Sequence, residues 1–178
     1  MTARRRVAGD GPRRRRGAAT ARARPASSPF GRAAQPDVPR PGLLVNIDVD
    51  DLERGIDFYA RGLGLEPGRR LGPRACEMLG APAAIYLLEQ PAGTRPFAGS
   101  EGRRDYVRHW TPVHLDLVVE DLEPAVDRAL SAGGRLEGPI QERPWGRLAR
   151  MSDPFGHGFC LLQFKGRGYD AIATGPSR

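Results

Sequence analysis

Cysteine is nearly absent from this 178-residue chain: Cys76 and Cys160 stand alone, with no Cys-x-x-Cys spacing. That scarcity excludes a disulfide framework and predicts reduced thiols, as in a cytoplasmic protein. Long apolar runs are missing as well. No stretch approaches the ~18 consecutive apolar residues of a membrane helix. The N-terminal arginines are followed by Ala, Pro and Ser, so neither a signal peptide nor a twin-arginine export segment is legible. No nucleophilic triad or dinucleotide fingerprint occurs. Gly166-Arg167-Gly168 lacks the strand-to-helix context of a phosphate loop.

Large apolar residues are also scarce from 1 to 42, where Val7, Phe30 and Val38 stand almost alone among Arg, Ala, Pro and Gly. Such a segment buries too little to offset its ordering entropy, and disorder is predicted. It holds eleven arginines against Asp10 and Asp37, a local charge of +9, whereas the remainder holds 17 basic and 19 acidic residues, a charge of −2. The net charge of +7 therefore belongs to the tail, and the body has no electrostatic footprint for nucleic acid. Three readings fit the tail: a polyanion-binding arm, a solubilising tail, or a coding start placed too far upstream in a GC-rich gene. Only Phe30 interleaves the arginines, which weakens a stacking-based nucleic-acid arm.

What is present is an internal repeat. Sliding the chain by seventy positions lays Val49-Asp50-Asp51-Leu52-Glu53 over Val119-Glu120-Asp121-Leu122-Glu123. In both copies an alternating strand pattern ends in an acidic pair and runs into a helical one, so one unit is built twice. Period-two alternation puts His114, Asp116 and Val118 on one face, with Val113, Leu115, Leu117 and Val119 opposite. In the first copy Leu44, Asn46 and Asp48 oppose Val45, Ile47 and Val49. One face of each strand is apolar and suits packing under the following helix. The other carries His114, Asp116, Asn46 and Asp48, which line either a cavity or a solvent-facing strand side.

The order within each unit is strand, helix, three strands. In the first, a strand over 43–49 precedes an Asp51-capped helix with Leu52, Ile56, Tyr59 and Leu63 on one face. Strands at 65–71, 75–79 and 83–89 follow, separated by Gly-Pro and Gly-Ala-Pro turns. Residues 90–111 read as a linker, with His109 and Trp110 a surface pair. In the second unit an Asp121-capped helix directs Leu122, Val126, Ala129 and Leu130 inward and ends at Gly133-Gly134. Strands at 135–142, 147–152 and 158–164 follow, with a turn at Asp153-Pro154-Phe155-Gly156-His157-Gly158 in which His157 reads as a surface residue. Residues after Lys165 read as loose wrapping.

The ordered set Val49-Asp50-Asp51-Leu52-Glu53, Phe58-Tyr59, Leu63-Gly64-Leu65, then Val119-Glu120-Asp121-Leu122-Glu123, Trp145-Gly146 and Asp153-Pro154-Phe155-Gly156 resembles the vicinal oxygen chelate superfamily. That superfamily includes glyoxalase, bleomycin resistance proteins and extradiol dioxygenases. The resemblance covers about residues 43–165 and implies an α+β fold of two βαβββ modules, 43–89 and 112–165, curled around a cavity. A tail would precede them, the 90–111 linker join them, and a short tail at 166–178 follow.

It also implies a divalent metal held by the first and last strands of each module, at Leu44, Tyr86, His114 and Cys160. Leu44 has no donor and Tyr86 is a poor ligand, which leaves His114 and Cys160 as weak metal candidates. Asp116, Asn46 and Asp48 would substitute only if the metal moved along the strands. No cofactor is therefore expected, and the implied function is metal-free binding of a small organic molecule, as in bleomycin resistance. The alternative is a glyoxalase- or dioxygenase-like metalloenzyme acting on a small oxygenated substrate. The candidate binding residues are Asn46, Asp48, Tyr86, His114, Asp116, Trp145 and Cys160, and His114 with Asp116 would carry any acid–base chemistry. Family habit implies a homodimer, and no nucleic acid or membrane is expected at the folded domain.

Overall fold

The computed structural model describes residues 42–174. The disorder and alternative start expected for the Arg-rich segment lie outside those residues. The first module consists of β1 (Leu44–Val49), α1 (Leu52–Asp57), a π turn (Phe58–Gly62), β2 (Glu66–Arg70), β3 (Ala75–Leu79) and β4 (Ala84–Glu89). The second consists of β5 (Leu115–Val118), α2 (Leu122–Ser131), β6 (Arg135–Leu136), β7 (Gln141–Arg143), β8 (Gly146–Ser152) and β9 (Gly158–Phe164), followed by a 3-10 turn (Gly168–Ala171). Among the described residues, no helix is long and apolar enough to cross a membrane.

The fold is the α+β repeat read from the chain, in two mixed sheets. One runs β1-β4-β3-β2 and the other β5-β9-β8-β6, with β7 also paired to β8. Among the described residues no ladder joins the two sheets, and β1 and β5 are their equivalent edges. The registers repeat too: β1 pairs β4 in parallel with Asn46 opposite Tyr86, and β5 pairs β9 in parallel with Asp116 opposite Cys160.

Burial follows the alternation. Ile47, Val49, Met78, Ile85 and Leu87 in the first module join Leu122, Met151, Phe159 and Leu161 of the second in one apolar core. Asp51 caps α1 with its carboxylate, accepting from Arg54 N at 3.0 Å. Asp121 has the extended cap backbone, but its side chain caps nothing.

Three local expectations need correction. α1 does not continue to Leu63 as a uniform helix. It widens into the π turn, and the extra residue per turn brings consecutive Phe58 and Tyr59 both inward. In α2, Leu130 is exposed and Ala125 takes the inward place, because the stripe facing the sheet runs through Leu122, Ala125, Val126 and Ala129. The strand expected over 135–142 is two short strands, interrupted where Gly138 takes a φ of 114° before Pro139.

The modules meet on Phe58. Its ring lies 5.3 Å from Tyr59 and 6.1 Å from Phe159, both edge-on, so it belongs to both halves. α2 packs against the π turn there. Gly62 permits that approach, since a Cβ at this position would stand only 3.0 Å from Ala132 Cβ. Two polar contacts accompany it: Tyr59 OH donates to Asp153 Oδ2 at 2.9 Å, and His157 Nε2 lies 2.7 Å from the Asp48 carbonyl oxygen. His157 is therefore a half-buried link between modules, not a surface turn residue.

Candidate functional site

With the helices covering one face of each sheet, the other face carries the chemistry. On the second sheet Asp116 of β5 opposes Cys160 of β9, and Cys160 opposes Arg150 of β8, so the three stand in one row across adjacent strands. His114 precedes β5 by one residue and places Nε2 3.2 Å from Asp116 Oδ1. Burial pushes the Cys160 thiol up to about 11, and the charge and hydrogen bond of Asp116 push the same way. Near neutral pH the sulfur therefore keeps its proton.

Within the described residues, the turn Gly168–Ala171 packs on the sheet through Tyr169 where loose wrapping was expected. The Tyr169 ring centroid lies 4.8 Å from that of Phe164 and 5.0 Å from that of Trp145. Burial raises the Tyr169 phenol, and the charges of Asp116 and Cys160 add to the effect, so this turn stands near the polar row.

Two cavities meet at His114, and only the first reaches the row, through Cys160 and Arg150, while Asp116 lines neither. One, of about 240 Å³, is lined by Arg108, Trp110, Thr111, His114, Arg150 and Cys160 among others. The second, of about 200 Å³, lies in the seam between β1 and β5, where Val45, Ile47, Leu115 and Leu117 form the walls and Asn46 and His114 are polar. Thr111, His114, Gly158 and Phe159 belong to both, so the two form a continuous groove. Arg108 lies across Gly158, where a Cβ would come within 2.7 Å of its Nη2. Its guanidinium bonds both oxygens of Glu137 and holds that carboxyl below the usual carboxylate range.

The matching face of the first sheet is paired internally. Tyr86 OH donates to Glu77 Oε1 at 3.1 Å, and Arg69 donates to both Glu77 oxygens at 2.8 and 2.9 Å. The Arg69 guanidinium is the main cause that pulls the Glu77 carboxyl down to about 2. Asp48 accepts from Arg104 Nε at 2.6 Å.

Of the residues singled out from the sequence, His114, Asp116 and Cys160 come together, and Asn46 reaches the groove across the seam. Asp48 and Tyr86 are held in separate ion-pair networks, and Trp145 belongs to the aromatic cluster with Phe164 and Tyr169. The segment read as a plain linker contributes Arg108, Trp110 and Thr111 to the groove, so Trp110 has a place beside it despite its exposure. Arg150 was legible in principle, because alternation along 147–152 opposes it to core residues Ala149 and Met151. Nothing local marks the three linker residues.

A metal shared between the modules does not fit. At two of its four positions stand Leu44, which has no donor, and Tyr86, whose hydroxyl is bonded to Glu77. Among the described residues, the group that could hold an ion is His114, Asp116 and Cys160, whose donor atoms all lie within 4.8 Å of one another in the second module alone. A His-carboxylate-thiolate set suits zinc, and the Cys160 proton would have to leave.

Three comparisons set these observations among known proteins. The anthracycline biosynthesis protein DnrV of Streptomyces peucetius is 31% identical over 136 residues, spanning 75% of this chain and 44% of that protein. A glyoxalase-related enzyme from Fulvimarina pelagi superposes with a TM-score of 0.56 at 20% identity, covering 71% of this chain and 88% of that one. TnmS3, an antibiotic binding protein from Streptomyces sp. CB03234, superposes with a TM-score of 0.50 at 24% identity, covering 74% and 100%. These likenesses to solved structures establish the shared fold. The family model described as a glyoxalase-like domain matches residues 44–162, and this chain is a member of that family.

Proposed function

We propose that this protein binds a small organic molecule in the groove where the two cavities meet, without the divalent metal of the superfamily's enzymes. The observation that carries the reading is the position of His114, which lines both the apolar seam and the more polar cavity beside it. Ligand pockets combine apolar walls with a few placed polar groups, and this groove has that composition. The antibiotic-binding description of TnmS3 and the anthracycline biosynthesis description of DnrV support a small organic ligand. The homodimer implied by the resemblance belongs to the same proposal, and light scattering at micromolar concentration tests it.

A thermal-shift screen of small molecules followed by titration of a hit tests the reading. His114→Ala should weaken binding by about tenfold or more, the scale of one buried polar contact. Added zinc, nickel or manganese should change nothing. A second reading is favoured by the proximity of His114, Asp116 and Cys160: a metalloenzyme whose ion is held by the second module alone. Stoichiometric metal that survives dialysis and disappears in His114→Ala would replace the first reading with the second.

A further inference from the structure

We infer that the ligand of the groove carries an anionic oxygen, a carboxylate or ionised phenol, and that Arg150 is the residue that selects it. This rests on the small-molecule reading above and adds the ligand's charge.

Arg104 is paired with Asp48, Arg108 with Glu137, and Arg147 with both Glu123 and Glu142. Arg150 lines the same cavity as Arg108 and His114, yet its guanidinium has no hydrogen-bond or ion-pair partner among the described residues. Its backbone is fixed: β8 is paired on both sides here, Arg150 opposes Cys160, and its carbonyl accepts from Glu137 N at 2.8 Å. Ala149 and Met151 on either side are buried in the core. The charge is therefore presented to the groove from a rigid central strand.

Two nearby carboxylates make no bond to Arg150, although its charge helps hold the Glu137 carboxyl down. Glu137 is held by both Arg108 nitrogens. Asp116 is in contact with His114 and stands two strands away, a separation of about 10 Å at ordinary strand spacing. A guanidinium offers planar, paired donors that match a carboxylate. Trp110 on the same cavity offers a face for an attached ring.

The test compares two probes with one ring system, 1-naphthoate and neutral 1-naphthalenemethanol, by titration calorimetry on the full chain. Wild type should bind the acid more tightly by about tenfold to a hundredfold, the range for a bond to a charged partner. Arg150→Gln should erase that preference, with a far-UV circular dichroism spectrum and melting temperature like those of wild type reporting that the variant folds. Arg150→Lys should keep part of the preference, and Arg135→Gln, outside this cavity, all of it. Equal affinity for the two probes in wild type, or a preference that survives Arg150→Gln, overturns the inference while the small-molecule reading stands. If neither probe binds, the inference falls, and the thermal-shift screen decides the small-molecule reading on its own.

Discussion

The two modules are copies in topology and opposites in chemistry. On the helix-free face of the first sheet, each charged or hydroxyl group has a partner from its own module or the linker: Arg69 and Tyr86 with Glu77, Arg104 with Asp48. On the corresponding face of the second, Arg150 is unpartnered among the described residues, and His114, in an exposed pair with Asp116, lines the groove. A duplicated fold offers the same strand positions twice. Here one set has become scaffold, held by internal ion pairs, and the other presents polar groups to a groove.

The largest expected effect tests whether this division of labour rests on a shared core. Phe58→Ala removes a fully buried ring that touches both halves, and should cost about 3–5 kcal/mol of unfolding free energy in urea. A single transition with a lowered midpoint is expected. Two separate transitions would show that the modules fold independently and that the comparison joins unlike units.

Tyr59→Phe acts at the same joint with a smaller effect. Asp153 would keep its backbone donors, Phe155 N and His157 N at 2.9 Å each, but lose the phenol. Burial already raises the Asp153 carboxyl, and one missing donor at a buried acceptor should cost about 1–3 kcal/mol by the same measurement. A neutral outcome would show that the Tyr59–Asp153 bond adds nothing to the joint.

The smallest effect sharpens the contrast between the faces. The Glu77 carboxyl is pulled from its usual 4.5 to about 2, chiefly by Arg69. Because the folded value is the lower one, this group's contribution is fully present above pH 4.5 and is lost as pH falls through about 2. Glu77→Gln should flatten that acid limb and leave ligand binding unchanged. A loss of binding would make the first module part of the site.

Much of the architecture was legible because side-chain period and turn residues are local signals. The seventy-residue repeat, the Ala75–Leu79 and Gly158–Phe164 strands, and the Asp51 cap all follow from neighbours in sequence. Leu130 was misplaced because it follows Val126 by four and Leu122 by eight, so spacing alone admits it to the stripe, and only the angle of α2 on its sheet leaves it uncovered. The site was half legible. Alternation puts His114 and Asp116 on one face, and register then adds Cys160. The same alternation made Asp48 equally eligible, until Arg104, fifty-six residues later, took its carboxylate.

What the sequence alone determined is therefore the unit that is repeated and the face on which each strand shows its polar residues, since both depend on spacing within a few residues. Tertiary structure decided which copy keeps those residues free. Arg69 and Arg104 neutralise one face through contacts made by β2 and the linker, while Arg108 is turned onto Glu137 and leaves Arg150 alone. No local rule ranks one carboxylate above another as an arginine's partner. That choice is a matter of distance, and distance between residues far apart in sequence exists only once the chain has folded.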